Sequence, residues 1–226
     1  MTLKLLSSMA AREVLAELIK GFTAQTGQLV TAEAAGGVEV ARRIQAGEAA
    51  DVVVLSDTAI DKLIRTAQLR PGRVDLVKSG VAIAVRNGAG RPDISTEAAV
   101  KAAVSSASSL SYSTGPSGVY LEQLFARWGI LETIRPRIVV PPPGIAVGSV
   151  VASGQAELGF QQLSELLNVA GIEVLGPLPA AIQTITTFSA GIGVGCEQPQ
   201  VAAQLLDYMR LPAATDVKQR YGMEPA

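Results

Sequence analysis

The sequence predicts an α/β fold in which a sheet-and-helix pattern is used twice. Short apolar runs alternate with amphipathic helical segments, the arrangement that builds mostly parallel sheets covered by helices. The 226 residues suffice for one large domain or two lobes of ordinary size. The alternation also breaks once, in the Gly-, Pro- and charge-rich stretch 87–93, and restarts at Ser95.

Leu3 to Leu6 is the first expected strand, followed by Ser7-Ser8 and a helix from Ala11 to Thr26. Val14, Leu15, Leu18, Ile19 and Phe22 recur at helical spacing, and Gly27 ends the helix. Leu29 to Ala34 reads as a strand, and Gly36-Gly37 turns into a helix through Val40, Ile44 and Gln45 that stops at Gly47. The unbroken apolar run Asp51 to Leu55 predicts a fully buried strand, with Ser56-Asp57 at its end and a helix over Ala59 to Ala67. Val81 to Val85 is another strand. The second pattern comprises a helix over Glu97 to Ala103, a strand at Ser109 to Tyr112, the loop Ser113 to Gly118 and a helix over Val119 to Trp128. Ile138 to Val140 is expected as a strand, Ala146 to Ser153 as a helix, and Leu158 to Phe160 as a short strand ending in Gln161-Gln162. A helix at Leu163 to Leu167, a strand over Ile182 to Ala190 and a helix over Gln198 to Arg210 complete the chain before a tail at Thr215 to Tyr221.

Composition excludes several functions. Lys+Arg total 19 against Asp+Glu 20 and aromatics reach only 4%, so neither bulk charge nor stacking platforms favour nucleic acid. There is no histidine and a single cysteine, Cys196, which rules out an internal disulfide, Cys/His metal sites and His-dependent nucleophilic catalysis. Cys196 reads as a buried, inert thiol, and no metal or cofactor is expected. No run approaches a membrane span, and the apolar start is too short for a signal peptide. The sequence as it stands reads as cytoplasmic, or as periplasmic if an export signal has been removed.

Ligands of open α/β sheets bind beyond the carboxyl ends of the strands, where helix amino termini present unpaired N–H groups and favour negative charge. The turns at those ends carry Ser7-Ser8, Gly36-Gly37, Ser56-Asp57, Ser113 to Gly118, Pro143-Gly144 and Gln161-Gln162. Small neutral donors dominate, and they suit a small anion. The candidate ligand-binding residues are Ser7, Ser8, Gly36, Gly37, Ser56, Ser113, Ser117, Gly118, Val119, Tyr120, Pro143 and Gln161. Each has a plainer role: Ser7-Ser8 as a helix cap, Gly36-Gly37 as turn residues, Ser113 to Gly118 as a connection, Gln161 as a surface amide, Tyr120 as a hydrogen-bond donor.

The order of these features resembles the molybdate-binding (ModA-like) family of type II periplasmic binding proteins. The resemblance rests on the strand before Ser7-Ser8, on Gly36-Gly37 with Arg42 to Val54, on Ser153-Gly154-Gln155-Ala156-Glu157-Leu158-Gly159-Phe160, and on Ala203 to Arg210 with Leu211-Pro212 and Tyr221-Gly222. It implies a two-lobed fold with residues 1–80 and 189–226 in one lobe, 81–188 in the other, and two crossover strands near Ser79 and Phe188 as the hinge. It further implies an anion in the inter-lobe cleft and, for an exported receptor, an ABC transporter permease as partner.

Where that family carries a hydroxyl beside the second-loop glycines, this chain reads Ala34-Ala35-Gly36-Gly37-Val38, with an apolar residue in that place, and Phe160-Gln161-Gln162 replaces the tyrosine region. An organic di- or tricarboxylate is therefore the expected ligand ahead of molybdate or tungstate. Ser117 to Tyr120, Phe160 to Leu167, Gly176 to Pro179 and Phe188 to Gly191 resemble a branch that includes aconitate isomerase. That resemblance implies a cofactor-free isomerase of an unsaturated tricarboxylate as the alternative, with Asp57, Tyr120 or Glu165 conceivable as its base. A cytoplasmic ligand sensor is a third reading.

Overall fold

The computed structural model describes residues 2–142 and 144–226. It divides into two compact units: the chain up to Ser79 together with Thr186–Ala226, and Gly80–Ile185.

In the first unit β1 (Leu3–Ser8) is the hub, pairing in parallel with β2 (Val30–Ala35) and β3 (Val52–Ser56). Between them run α1 (Arg12–Thr26) and α2 (Gly37–Gln45), and α3 (Asp57–Arg65) follows β3. Side chains alternate along these strands and so sort the core into two layers. Leu3, Leu5, Val52 and Val54 pack with Val14, Leu15, Leu18 and Phe22 of α1, whereas Leu6, Val53 and Leu55 pack with Val40 and Ile44 of α2 and Ile60 and Leu63 of α3. Each such side chain, fully buried, contributes about 1.5–3 kcal/mol. Gly27 ends α1 in the left-handed conformation at φ 73°, as its position in the sequence requires.

The chain enters the second unit within β4 (Val74–Arg86), a 13-residue strand. The stretch 87–93 is an exposed loop inside that unit. After it come α4 (Glu97–Ser106), β5 (Leu110–Tyr112), α5 (Pro116–Arg127), α6 (Leu131–Ile134), α7 (Val147–Ala152), β6 (Leu158–Gln162), α8 (Leu163–Leu166) and β7 (Ile172–Pro177). Phe125 of α5 centres this core, with ring centroids 6.0 Å from Tyr112 and 6.1 Å from Phe160. The chain returns through β8 (Ile185–Ile192) to α9 (Pro199–Arg210), α10 (Thr215–Arg220) and β9 (Glu224–Pro225).

The sheets are mixed. β5 and β6 pair in parallel, but β8 runs antiparallel to β3, and β4 runs antiparallel to β6, β7 and β9. β4 and β8, the strands through which the chain passes between the units, thus run against β6 and β3, which a count of apolar runs does not reveal. Three local expectations are corrected. Ile138–Val140 makes only an isolated bridge, Ile138 to Leu110, because Pro141 and Pro142 follow and offer no N–H to a ladder. β7 was not anticipated, since Gly176 and Pro177 hide it among turn residues. Finally, α5 begins at Pro116, so the expected six-residue loop is only Ser113 to Gly115.

Candidate functional site

In the first unit, β1 and β3 end in serines. The strand period sends Ser8 to the face shared by Leu6 and α2, and Ser7 to the face of Leu3 and α1. Ser8 is 6% exposed, and its Oγ meets no hydrogen-bond partner among the described residues. Beside it α2 starts on Gly36 as the N-cap, with no side chain to satisfy the first-turn N–H groups. A Cβ at Gly37 would lie 3.6 Å from Ser8 Cβ, so this helix start is packed directly against the serine. Ser56 is the N-cap of α3 without a side-chain bond to the helix backbone; its Oγ lies 3.3 Å from Thr58 Oγ1, and Asp57 Oδ1 accepts from Thr58 N at 2.6 Å. Asp57 thus occupies its own helix start and places a negative charge there.

In the second unit, α5 repeats the glycine start, with Gly115 as N-cap and Pro116 at the first position. Ser117 is 3% exposed, and its Oγ stands 3.5 Å from Ser113 Oγ, the outer limit of a hydroxyl contact. Gly118 is fixed sterically, because a Cβ would lie 1.6 Å from the Ser113 carbonyl oxygen. Val119 is exposed on the first turn, as Val38 is on α2. By contrast α4, away from these strand ends, is closed by its own Thr96, which accepts from Ala99 N at 3.1 Å.

Two of the expected ligand groups are already engaged. Tyr120 donates its hydroxyl to the Ile182 carbonyl at 2.8 Å, tying α5 to the segment that precedes β8. Gln161, 3% exposed, donates its amide to Glu165 Oε1 at 2.8 Å, while its Oε1 finds no donor among the described residues. Pro143 lies outside the described residues. Three further buried hydroxyls, Ser79, Ser111 and Ser164, also lack partners among the described residues, and none of them is among the expected ligand groups. Ser164 follows Gln161 by three positions at a strand-to-helix junction, a signal that could have flagged it. Gln183 was missed as well. Its Oε1 accepts from Val81 N at 2.9 Å and its Nε2 donates to Val81 O at 3.0 Å, so the amide acts as a strand neighbour.

No group of three or more acidic, histidine or cysteine residues among the described residues can hold a metal ion. No helix there is long and apolar enough to cross a membrane.

The sequence pattern of the bacterial extracellular solute-binding protein family matches residues 3–224. The chain belongs to that family. It is 36% identical over 99% of its length to an aconitate isomerase from a Pseudomonas species, covering 88% of that protein. It is also 31% identical over 48% of its length to the molybdate-binding protein ModA of Azotobacter vinelandii, covering 44% of it. Among solved structures, the periplasmic molybdate-binding protein of Azotobacter vinelandii superposes with a TM-score of 0.82 at 22% identity, covering 99% of both chains. The sulfate-binding protein SubI of Mycobacterium tuberculosis gives 0.81 at 13%, covering 100% of this chain and 87% of the other. The fold is therefore the α/β fold of the ModA-type periplasmic binding proteins, and as a family member the chain is a solute-binding protein.

Proposed function

We propose that this solute-binding protein takes a small organic di- or tricarboxylate, bound by strand-end donors of the kind that each unit presents. The supporting observation is that α2 and α5 each start on a glycine N-cap, which has no side chain to occupy the first-turn N–H groups, next to a buried serine. Such N–H groups bind carboxylate oxygens, and the helix dipole adds to the attraction. The exposed aliphatic side chains beside them, Val38 and Val119, favour a ligand with a carbon skeleton over a fully hydrated inorganic oxyanion. Exported, the protein would hand its ligand to an ABC transporter permease.

A thermal-shift panel of carboxylates and oxyanions tests this. A ligand present at 100 times its Kd stabilises the native state by about 2.7 kcal/mol. Stabilisation by tricarboxylates or dicarboxylates with little response to molybdate or sulfate is expected; a strong molybdate response without any carboxylate response would overturn the assignment.

A second reading is favoured by the 36% identity to an aconitate isomerase across nearly the whole chain. In it the same donors bind an unsaturated tricarboxylate, and N–H groups stabilise the enolate-like charge that develops as an allylic proton moves. Incubating the protein with cis- and trans-aconitate separately, and following their interconversion, separates enzyme from receptor. Binding without interconversion leaves the receptor alone.

A further inference from the structure

Gln161 is the penultimate residue of β6, at the carboxyl end of the parallel β5–β6 pair. The pair's register, Tyr112 opposite Phe160, places position 113 beside position 161, next to the start of α5. Its side chain is a buried amide with a defined polarity. Glu165 lies four residues on, and its carboxylate accepts Gln161 Nε2 at 2.8 Å. An ionised carboxylate only accepts hydrogen bonds, so the amide must turn its NH2 toward Glu165 and its carbonyl oxygen away. That oxygen is buried and receives no donor from the described residues. An acceptor held out of water without a donor is costly, so one at a strand end beside a helix start calls for a donor from outside the chain.

We infer that Gln161 Oε1 is the acceptor for an O–H carried by the ligand, with Glu165 as the positioning residue that orients the amide. This rests on the carboxylate reading above and adds to it. The ligand carries, besides its carboxylates, an oxygen that donates a hydrogen bond: an alcohol hydroxyl, or a carboxyl bound in its protonated form. Helix-start N–H groups and serine hydroxyls recognise anionic oxygens. Gln161 Oε1 can only accept a hydrogen bond, so it selects among carboxylates for one that also carries a donor.

The test uses matched pairs differing by one hydroxyl, malate against succinate and citrate against tricarballylate. Affinities are measured by calorimetry for the unaltered protein, for Gln161→Leu and for Glu165→Gln. In the unaltered protein the hydroxylated member is expected to bind about tenfold tighter or more. Gln161→Leu abolishes that preference. Glu165→Gln weakens it, because an amide at 165 accepts either orientation of Gln161, although binding of the unhydroxylated member persists. A loss that merely reflected damaged folding would lower both members of a pair together, and that result would overturn the inference.

If the donor is a protonated carboxyl, the unhydroxylated acids bind tighter as the pH is lowered toward the carboxylate range, and they do so in the unaltered protein but not in Gln161→Leu. Equal affinity within each pair, with a pH dependence that Gln161→Leu leaves unchanged, overturns the role of Gln161 and leaves the carboxylate reading intact. Binding of no carboxylate at all overturns both.

Discussion

The strand ends of the two units are built from similar residues and wired differently. In the first unit a glycine-started helix lies against a serine whose hydroxyl meets no partner among the described residues, and Gly37 has ordinary van der Waals room around it. In the second, the corresponding glycine-started helix is locked: the Ser113 carbonyl fills the space of a Gly118 side chain, Tyr120 is tied to Ile182, and Gln161 is tied to Glu165. The first set of donors is open and the second is pre-set. Preorganised groups lose less entropy on binding, so under the proposed function the second set is the one expected to discriminate between ligands.

The two glycines give the largest test of that contrast. Gly118→Ala would drive a methyl group to 1.6 Å from a backbone oxygen, which only a shift of α5 can relieve. A loss of about 3 kcal/mol or more in urea denaturation is expected, with ligand binding lost alongside. Gly37→Ala meets nothing closer than 3.6 Å and replaces glycine in a helix, so stability is unchanged or raised by about 0.5–1 kcal/mol. The same methyl sits against Ser8 and lowers ligand affinity. Equal destabilisation by the two substitutions would show that the first set of donors is as locked as the second.

Much of this was legible in the sequence, and the remainder was not for identifiable reasons. The apolar run at Asp51 to Leu55 gave a buried strand, and Gly27 ended α1, because both signals are local. Gln161 was placed at a strand end by the same reasoning and is the penultimate residue of β6, whereas Ser117, read as a loop residue, lies in the first turn of α5. What stayed hidden were pairings across long separations. Tyr120 and Ile182 are 62 positions apart, and Gln183 and Val81 are 102 apart. No periodicity encodes such contacts, so Tyr120 read as a free donor and Gln183 as nothing at all. The antiparallel direction of β4 and β8 was hidden for the same reason.

The two units also anchor β4 differently. In the second unit the Gln183 amide serves Val81 N–H and C=O at 2.9 and 3.0 Å. In the first, Lys218, 2% exposed, donates its ammonium to the Leu76 carbonyl at 2.9 Å. An amide replaces a strand neighbour at no electrostatic cost, whereas a buried amine must be desolvated. Gln183→Leu strands the Val81 N–H and is expected to cost about 2 kcal/mol.

Lys218→Met is expected to stabilise the protein by about 1 kcal/mol at neutral pH, since an apolar side chain of similar length suits the site. Burial, assisted by Arg210, holds the Lys218 pKa below its ordinary 10.5. Between the lowered value and 10.5 the unfolded chain binds more protons than the native one, so this residue's contribution to stability rises with pH through that window. The advantage of the methionine variant therefore shrinks as the pH approaches 10.5, which paired urea titrations would show. A gap that stayed constant with pH would mean the lysine suffers no desolvation.

The smallest effects divide the two sets of donors most cleanly. Tyr120→Phe removes a 2.8 Å bond to the Ile182 carbonyl, so about 1 kcal/mol of stability is lost while ligand affinity holds. Ser8→Ala removes a hydroxyl that has no partner among the described residues, and so costs less than about 0.5 kcal/mol of stability, or even stabilises. Its effect falls on the ligand instead, where a lost hydroxyl contact weakens binding roughly five- to tenfold. The two substitutions thus exchange their consequences, stability for one and affinity for the other. If Tyr120→Phe were the one to weaken binding, the tyrosine would be a ligand group after all, and the pre-set character of the second unit would rest on Gly118 and Gln161 alone.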